Sequence, residues 1–220
     1  MRNQQVDEYL NKIREALTPY DLGRAGLSIR VFKNVYPTSE LSELVVECMD
    51  NADYGIRPGN KVLDYGTGTG FLAIQAAIRG AKVVAIDINP DAVDCAKFNV
   101  SKHNQQLAVD VRLGKSLEPL RPGEKFDIIL AGLPWDDAET SEFIEMSMYD
   151  PWFQMRRELF AKAKDILLKE GRIFFTYAEF AQKRNPIENS FNGSYIYSTL
   201  RQRILKEVPH YVYLIQPNIC

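Results

Sequence analysis

The chain has 220 residues, 45% hydrophobic and 25% charged, proportions that suit a single globular domain with a sizeable core. Lys and Arg total 27 against 29 for Asp and Glu, so the net charge is −2 and the basic excess of a domain built to grip a long nucleic acid is missing. Three dispersed cysteines, Cys48, Cys95 and Cys220, argue against a disulfide scaffold and a Cys-x-x-Cys zinc site, and fit a reducing compartment. The charged opening MRNQQVDEYLNKIREALTPY lacks a signal-peptide core. No apolar run approaches the roughly 20 residues of a membrane span. A soluble, cytoplasmic protein is expected.

Val6, Tyr9, Leu10, Ile13 and Leu17 recur at helical spacing and predict a helix packed on the core, within an extension over residues 1–34. A polar stretch with Pro19 and Gly23 follows. Leu41, Leu44, Val45, Cys48 and Met49 then predict a second helix behind the candidate caps Thr38 and Ser39. From Lys61 onward short apolar runs alternate with helical stretches. KVLDY, KVVAID, AVDVRL, FDIILA and RIFFTY read as strands. FLAIQAAIRG, PDAVDCAKFNVSKHN and DPWFQMRRELFAKAKDILLKEG read as helices, with Pro90 in a first helical position behind Asn89, and Gly80 and Gly171 where helix C-terminal glycines belong. In the last of these helices Trp152, Phe153, Met155, Leu159, Phe160, Ala163 and Ile166 form a stripe expected to be buried. STLRQRILKEV reads as a helix or in part as a strand, and HYVYLIQP as a late strand. The alternation predicts an α/β fold over residues 35–220, a doubly wound, mainly parallel sheet with helices on both faces.

The first of these strands runs into Asp64-Tyr65-Gly66-Thr67-Gly68-Thr69-Gly70. Glycines at alternate positions let a tight turn bring backbone N–H groups up to a ligand at a helix N-terminus. The spacing is Gly-x-Gly-x-Gly, one residue short of the dinucleotide fingerprint, which disfavours a nicotinamide cofactor. The second strand closes on Asp87, roughly 20 residues past the turn, where a carboxylate can accept from ribose hydroxyls. An acid-led glycine turn, an acid ending the next strand and a βαβ frame between them agree with one another.

These residues resemble the class I S-adenosylmethionine-dependent methyltransferases, with VLDYGTGTGFLAI similar to their first motif and VVAIDINPDAVDCAKFNV to their second. VYPTSELSELVVE and LAGLPWDD look most like the release-factor glutamine methyltransferases and related small-domain N-methyltransferases. The resemblance implies a Rossmann-like sheet with an antiparallel last strand. It implies that Asp64, Gly66, Thr67, Gly68 and Gly70 surround the methionine moiety, that Asp87 holds the ribose and that Ile88 packs on the adenine. Thr38, with Tyr36, would close the pocket, and Gly132 would complete the cofactor set.

Two departures from the family pattern follow. Leu113-Gly114-Lys115-Ser116-Leu117 lacks the acid expected at the adenine amino group, leaving Ser116 or the backbone to serve. Gly132-Leu133-Pro134-Trp135 stands where amide- and base-nitrogen methylating relatives carry Asn-Pro-Pro-Tyr. Pro134 and Trp135 are expected to wall the acceptor, and Asp136 to take its proton, with Asp137 beside it. His103 and His210 lack the partners of a metal site, so no metal is expected. The expected activity is methyl transfer to a nucleophile, foremost a nitrogen of a small molecule or protein side chain. An RNA base as acceptor, or a non-catalytic protein that binds S-adenosylmethionine, are the alternatives. Residues 1–34 look short for the partner-binding region of release-factor enzymes, which favours a small molecule or a peptide read by local loops.

Overall fold

The computed structural model describes residues 2–16, 19–134, 136–179, 193–205 and 208–218. In chain order the elements are α1 (Gln4–Glu15), β1 (Tyr20–Arg24), β2 (Leu27–Val31), α2 (Glu40–Met49), β3 (Lys61–Tyr65), α3 (Phe71–Ile78), β4 (Lys82–Asp87), α4 (Pro90–Lys102), β5 (Val109–Leu113), β6 (Phe126–Ala131), α5 (Gln154–Ile166), β7 (Leu167–Ala178), β8 (Tyr195–Leu205) and β9 (Val208–Pro217). Seven of the strands form one sheet in the order β5-β4-β3-β6-β7-β9-β8. Neighbours from β5 to β7 pair in parallel, and β9 runs antiparallel to both β7 and β8. The expected sheet, with an antiparallel last strand, is present.

Central strands covered on both faces need apolar residues at successive positions, not alternate ones. Val62 and Leu63 of β3, and Ile128, Ile129 and Leu130 of β6, are accordingly all sealed from solvent. One face packs on α2 and α3 through Leu44, Met49, Phe71 and Ile74, the other on α5 through Leu159, Phe160 and Ala163. Between β4 and α4 the sequence signals hold closely: Asn89 caps α4 by accepting from the Asp91 N–H at 3.0 Å, and Pro90 opens the helix.

Three stretches add to the sequence reading or depart from it. The polar stretch after Pro19 is a hairpin, β1–β2, whose turn residues Ala25 and Gly26 both have positive φ (41° and 77°), the primed geometry that hairpins favour. Asn-Gly would have announced such a turn; Ala-Gly does not. The helix expected through Gly171 ends at Ile166, because Leu167 already pairs with Phe126 of β6. Gly171 therefore lies within β7, where residues Leu168 to Gly171 bulge opposite Asp127 before Arg172 pairs with Ile128. STLRQRILKEV, open between helix and strand in the sequence, is strand as far as Leu205.

The start of α5 also departs from its expected stripe. Trp152 and Phe153 are left-handed (φ 57° and 50°) and lie outside the helix, and Trp152 is 72% exposed. Leu159, Phe160 and Ala163 keep the buried positions predicted for them. No helix among the described residues is long and apolar enough to cross a membrane.

Candidate active site

The carboxyl ends of β3, β4, β5 and β6 open onto a cavity of about 390 Å³. Open α/β sheets bind ligands there, where helices leave the sheet in opposite directions. The glycine turn forms its floor. Gly66 and Thr67 donate their N–H groups to the Ile86 carbonyl, each at 3.0 Å, which ties the turn to β4. Gly68 has φ 55° and donates its N–H to Asp87 Oδ2 at 2.8 Å. The Asn89 N–H donates to Asp87 Oδ1 at 2.9 Å. Each carboxylate oxygen thus keeps acceptor capacity for a further donor.

Asp64 is buried, accepts from the Thr67 hydroxyl at 2.6 Å and from the Ala73 N–H at the start of α3. Burial pushes its carboxyl up to about 6, against the pull of the Thr67 hydrogen bond. Burial likewise raises Asp87, against its backbone hydrogen bonds. Two poorly solvated carboxylates facing one cavity make it a place for a cation.

Thr38, Tyr36, Ile88, Ser116, Gly132 and Pro134 line the same cavity. The Thr38 hydroxyl lies 2.7 Å from that of Thr69, which closes the N-terminal side over the turn. Gly70 was expected with the other glycines but does not line the cavity. It starts α3 at φ 81°, and a Cβ there would meet Ala96 Cα at 3.0 Å, so it serves the close packing of α3 on α4. Trp135 lies outside the described residues. Asp136 is buried away from the cavity lining, accepting from the Asp137 N–H at 2.8 Å and from the Asn3 side chain. Asp137 accepts from the Trp152 N–H at 2.7 Å.

The rest of the cavity wall comes from the segment between β6 and α5, through Phe143, Met146, Tyr149 and Asp150, and from Met155 at the start of α5. Sequence reasoning passed over Asp150. It is buried and accepts from the N–H groups of Met155 (3.0 Å) and Arg156 (3.3 Å), satisfying free donors in the first turn of α5; an Asp just ahead of a helical run was the available signal. Burial raises its carboxyl as well. Arg156 is also buried, its guanidinium 4.6 Å from the Phe153 ring centroid, with Nη2 3.4 Å from the Pro134 carbonyl. Over this segment lies α1: Val6 and Leu10 pack on Ile144, Met148 and Tyr149.

S-adenosylmethionine fits these residues. A Cβ at Gly66 would meet nothing within 4 Å, and at Gly68 only the Tyr36 carbonyl at 4.0 Å, so both glycines leave backbone bare along open cavity. The charged methionine end suits the turn with Asp64, and the ribose suits the remaining lone pairs of Asp87. Fold and site together define a class I S-adenosylmethionine-dependent methyltransferase.

A family described as a methyltransferase domain matches residues 56–208. The chain belongs to that family. Among curated proteins it is 39% identical over 89 residues to the ribosomal protein L11 methyltransferase of Geobacillus kaustophilus, covering 40% of this chain and 28% of that protein. It is 37% identical over 131 residues to the release factor glutamine methyltransferase of Rhodopirellula baltica, covering 56% of this chain and 41% of that protein. The matches thus span less than half of either relative. Among solved structures, the tRNA m1G37 methyltransferase of M. jannaschii aligns with a TM-score of 0.65 at 18% identity, over 91% of this chain and 57% of that one. That likeness is one of fold.

Proposed function

We propose that the protein transfers the methyl group of S-adenosylmethionine to a nitrogen of a protein side chain or small amine, and that Asp150 accepts the proton. The observation that carries the reading is Asp150, a buried acid that lines the cavity together with its neighbours Tyr149 and Pro151. When bound, the cofactor supplies an already activated methyl group. The chain's contribution is placement: holding acceptor and donor in line is worth large factors in rate.

A nitrogen nucleophile approaches neutral and becomes positive as the new bond forms, so a proton must leave. A carboxylate whose pKa is raised by burial takes that proton more readily near neutral pH. The role expected of Asp136 passes to Asp150, because Asp150 lines the cavity and Asp136 does not. Apolar Phe143, Met146 and Met155 surround the same space and exclude water from it. The names of the two curated relatives, both methyltransferases of protein components of translation, support a protein acceptor.

The test is a tritiated-methyl transfer screen against amine metabolites, a protein extract and bulk RNA. Label in the amine or protein fraction supports the reading. Label confined to RNA overturns it in favour of a base acceptor.

A further inference from the structure

Adenine presents ring nitrogens that accept hydrogen bonds and an exocyclic amino group that donates them. A site that distinguishes this base from others needs an acceptor facing the amino group. Asp87 ends β4 between the glycine turn of β3 and the carboxyl end of β5. With the methionine end on the turn and the ribose at Asp87, the base extends towards β5. Lys115 and Ser116 follow β5 and line the cavity. Lys115 offers donors only.

Ser116 is already committed. Its hydroxyl lies 2.9 Å from the Tyr65 hydroxyl and is also hydrogen-bonded to the Glu158 carboxylate. A carboxylate only accepts, so Ser116 donates to Glu158, and Tyr65 donates to Ser116. Tyr65 is sealed from solvent, and burial pushes its phenol up to about 12, which keeps that proton in place. Glu158 comes from α5, lines the cavity, and accepts from Gln154 Nε2 at 2.7 Å. The Ser116 and Gln154 hydrogen bonds, with the charges of Lys115 and Lys162, hold its carboxyl below the usual carboxylate range.

We infer that Glu158, brought in from α5 and aimed by the Tyr65–Ser116 pair, is the acceptor for the adenine amino group and the residue that makes the site specific for adenine. Ser116, expected from sequence to meet the base itself, is a positioning residue. An ionised carboxylate has about four acceptor positions, and Ser116 and Gln154 use two of them. The backbone of Ser116 is left-handed (φ 51°), and its hydroxyl reaches both Tyr65 and Glu158. The inference rests on the assignment of the cavity to S-adenosylmethionine.

Calorimetric titration with S-adenosylhomocysteine and with its inosine counterpart, which carries a carbonyl in place of the amino group, tests it. The unaltered protein is expected to prefer the adenine compound by about tenfold or more. Glu158→Gln, whose amide both donates and accepts, is expected to bring the two affinities within about threefold. Ser116→Ala is expected to narrow the preference while leaving the inosine compound's affinity unchanged. A folded Glu158→Gln protein that keeps the full preference overturns the inference and leaves the cofactor assignment standing. Failure of the unaltered protein to bind S-adenosylhomocysteine overturns both.

Discussion

Arg2 and Glu145, 143 residues apart, are joined by two parallel hydrogen bonds, Nη1 to Oε1 at 2.9 Å and Nη2 to Oε2 at 2.6 Å. Arg14 adds a third, from Nη2 to Oε1 at 3.0 Å, so Arg2 just ahead of α1 and Arg14 in its last turn hold one carboxylate of the segment between β6 and α5. The Arg2 guanidinium, ahead of the opposing effect of burial, draws the Glu145 carboxyl down to about 2. A depressed carboxyl stabilises the fold above its unfolded pKa, near 4.5, and loses that contribution as pH falls towards 2. Glu145→Gln is expected to cost about 1 kcal/mol at pH 7, where the pair is part-exposed on the arginine side. Melting curves of both proteins from pH 7 to pH 3 should converge as the acid range is entered; a constant difference would mean that charge plays no part.

Asp87→Ala should weaken S-adenosylhomocysteine by ~1–3 kcal/mol, because the ribose hydroxyls lose a charged acceptor. The carboxylate also receives the N–H groups of Gly68 and Asn89, so a loss of about 1 kcal/mol in stability should accompany it. Titration calorimetry and melting separate the two effects. Unchanged affinity in the folded variant would remove Asp87 from the site.

The glycines of the turn should behave differently from one another. Gly68→Val puts a β-branched side chain into the cavity at φ 55° and should abolish binding. Gly70→Ala drives a methyl against Ala96 and should lower stability by ~1–3 kcal/mol while the folded fraction still binds. Equal loss of binding in both would mean that the turn acts as one rigid body.

Asp64 gives a pH signature. Its folded pKa is raised to about 6, so in the cofactor-free protein this group favours the fold at low pH and that contribution is lost as pH rises through 6. Binding of the ligand's α-ammonium group has the opposite preference, since it favours the ionised form of Asp64. Affinity for S-adenosylhomocysteine is therefore expected to be flat above pH 7 and to fall up to about tenfold per pH unit below 6. Calorimetry from pH 8 to pH 5 checks this, and Asp64→Asn should flatten the profile.

Asp150→Asn keeps the size and the capping ability of the residue. It should lower turnover by about 10²-fold or more and leave cofactor affinity within about threefold. Asp136→Asn should leave turnover within about threefold. The reverse order would return the proton-accepting role to Asp136.

What the sequence disclosed and what it withheld follow the range of the interactions. Asp64, the glycine turn and Asp87 were legible because strand, turn and cap are each fixed within a few neighbouring residues, and their spacing carries the chemistry. Gly70 was misplaced for a related reason: its role depends on Ala96 of α4, which spacing does not reveal. Asp136 looked catalytic next to Pro134, but its neighbours in space are Asn3 and the Met148 carbonyl, distant in sequence. Trp152 and Phe153 fitted a helical stripe by periodicity, yet Asp150 starts the helix after them and leaves the indole outside. β8 read as helix or strand because its Arg- and Gln-rich run is half-exposed, and only pairing with β9 decides it.

The packing of α1 on residues 144–149 sets an order on the birth of the molecule. The strands and helices that carry the glycine turn, Asp87 and Ser116 lie close together along the chain, so that half can consolidate while later residues are still being added. The apolar stripe of α1 must wait for Ile144, Met148 and Tyr149 before it has anywhere to pack. Until those residues are made, the apolar stripe of α1 has no partner surface, an early aggregation liability that the finished fold removes.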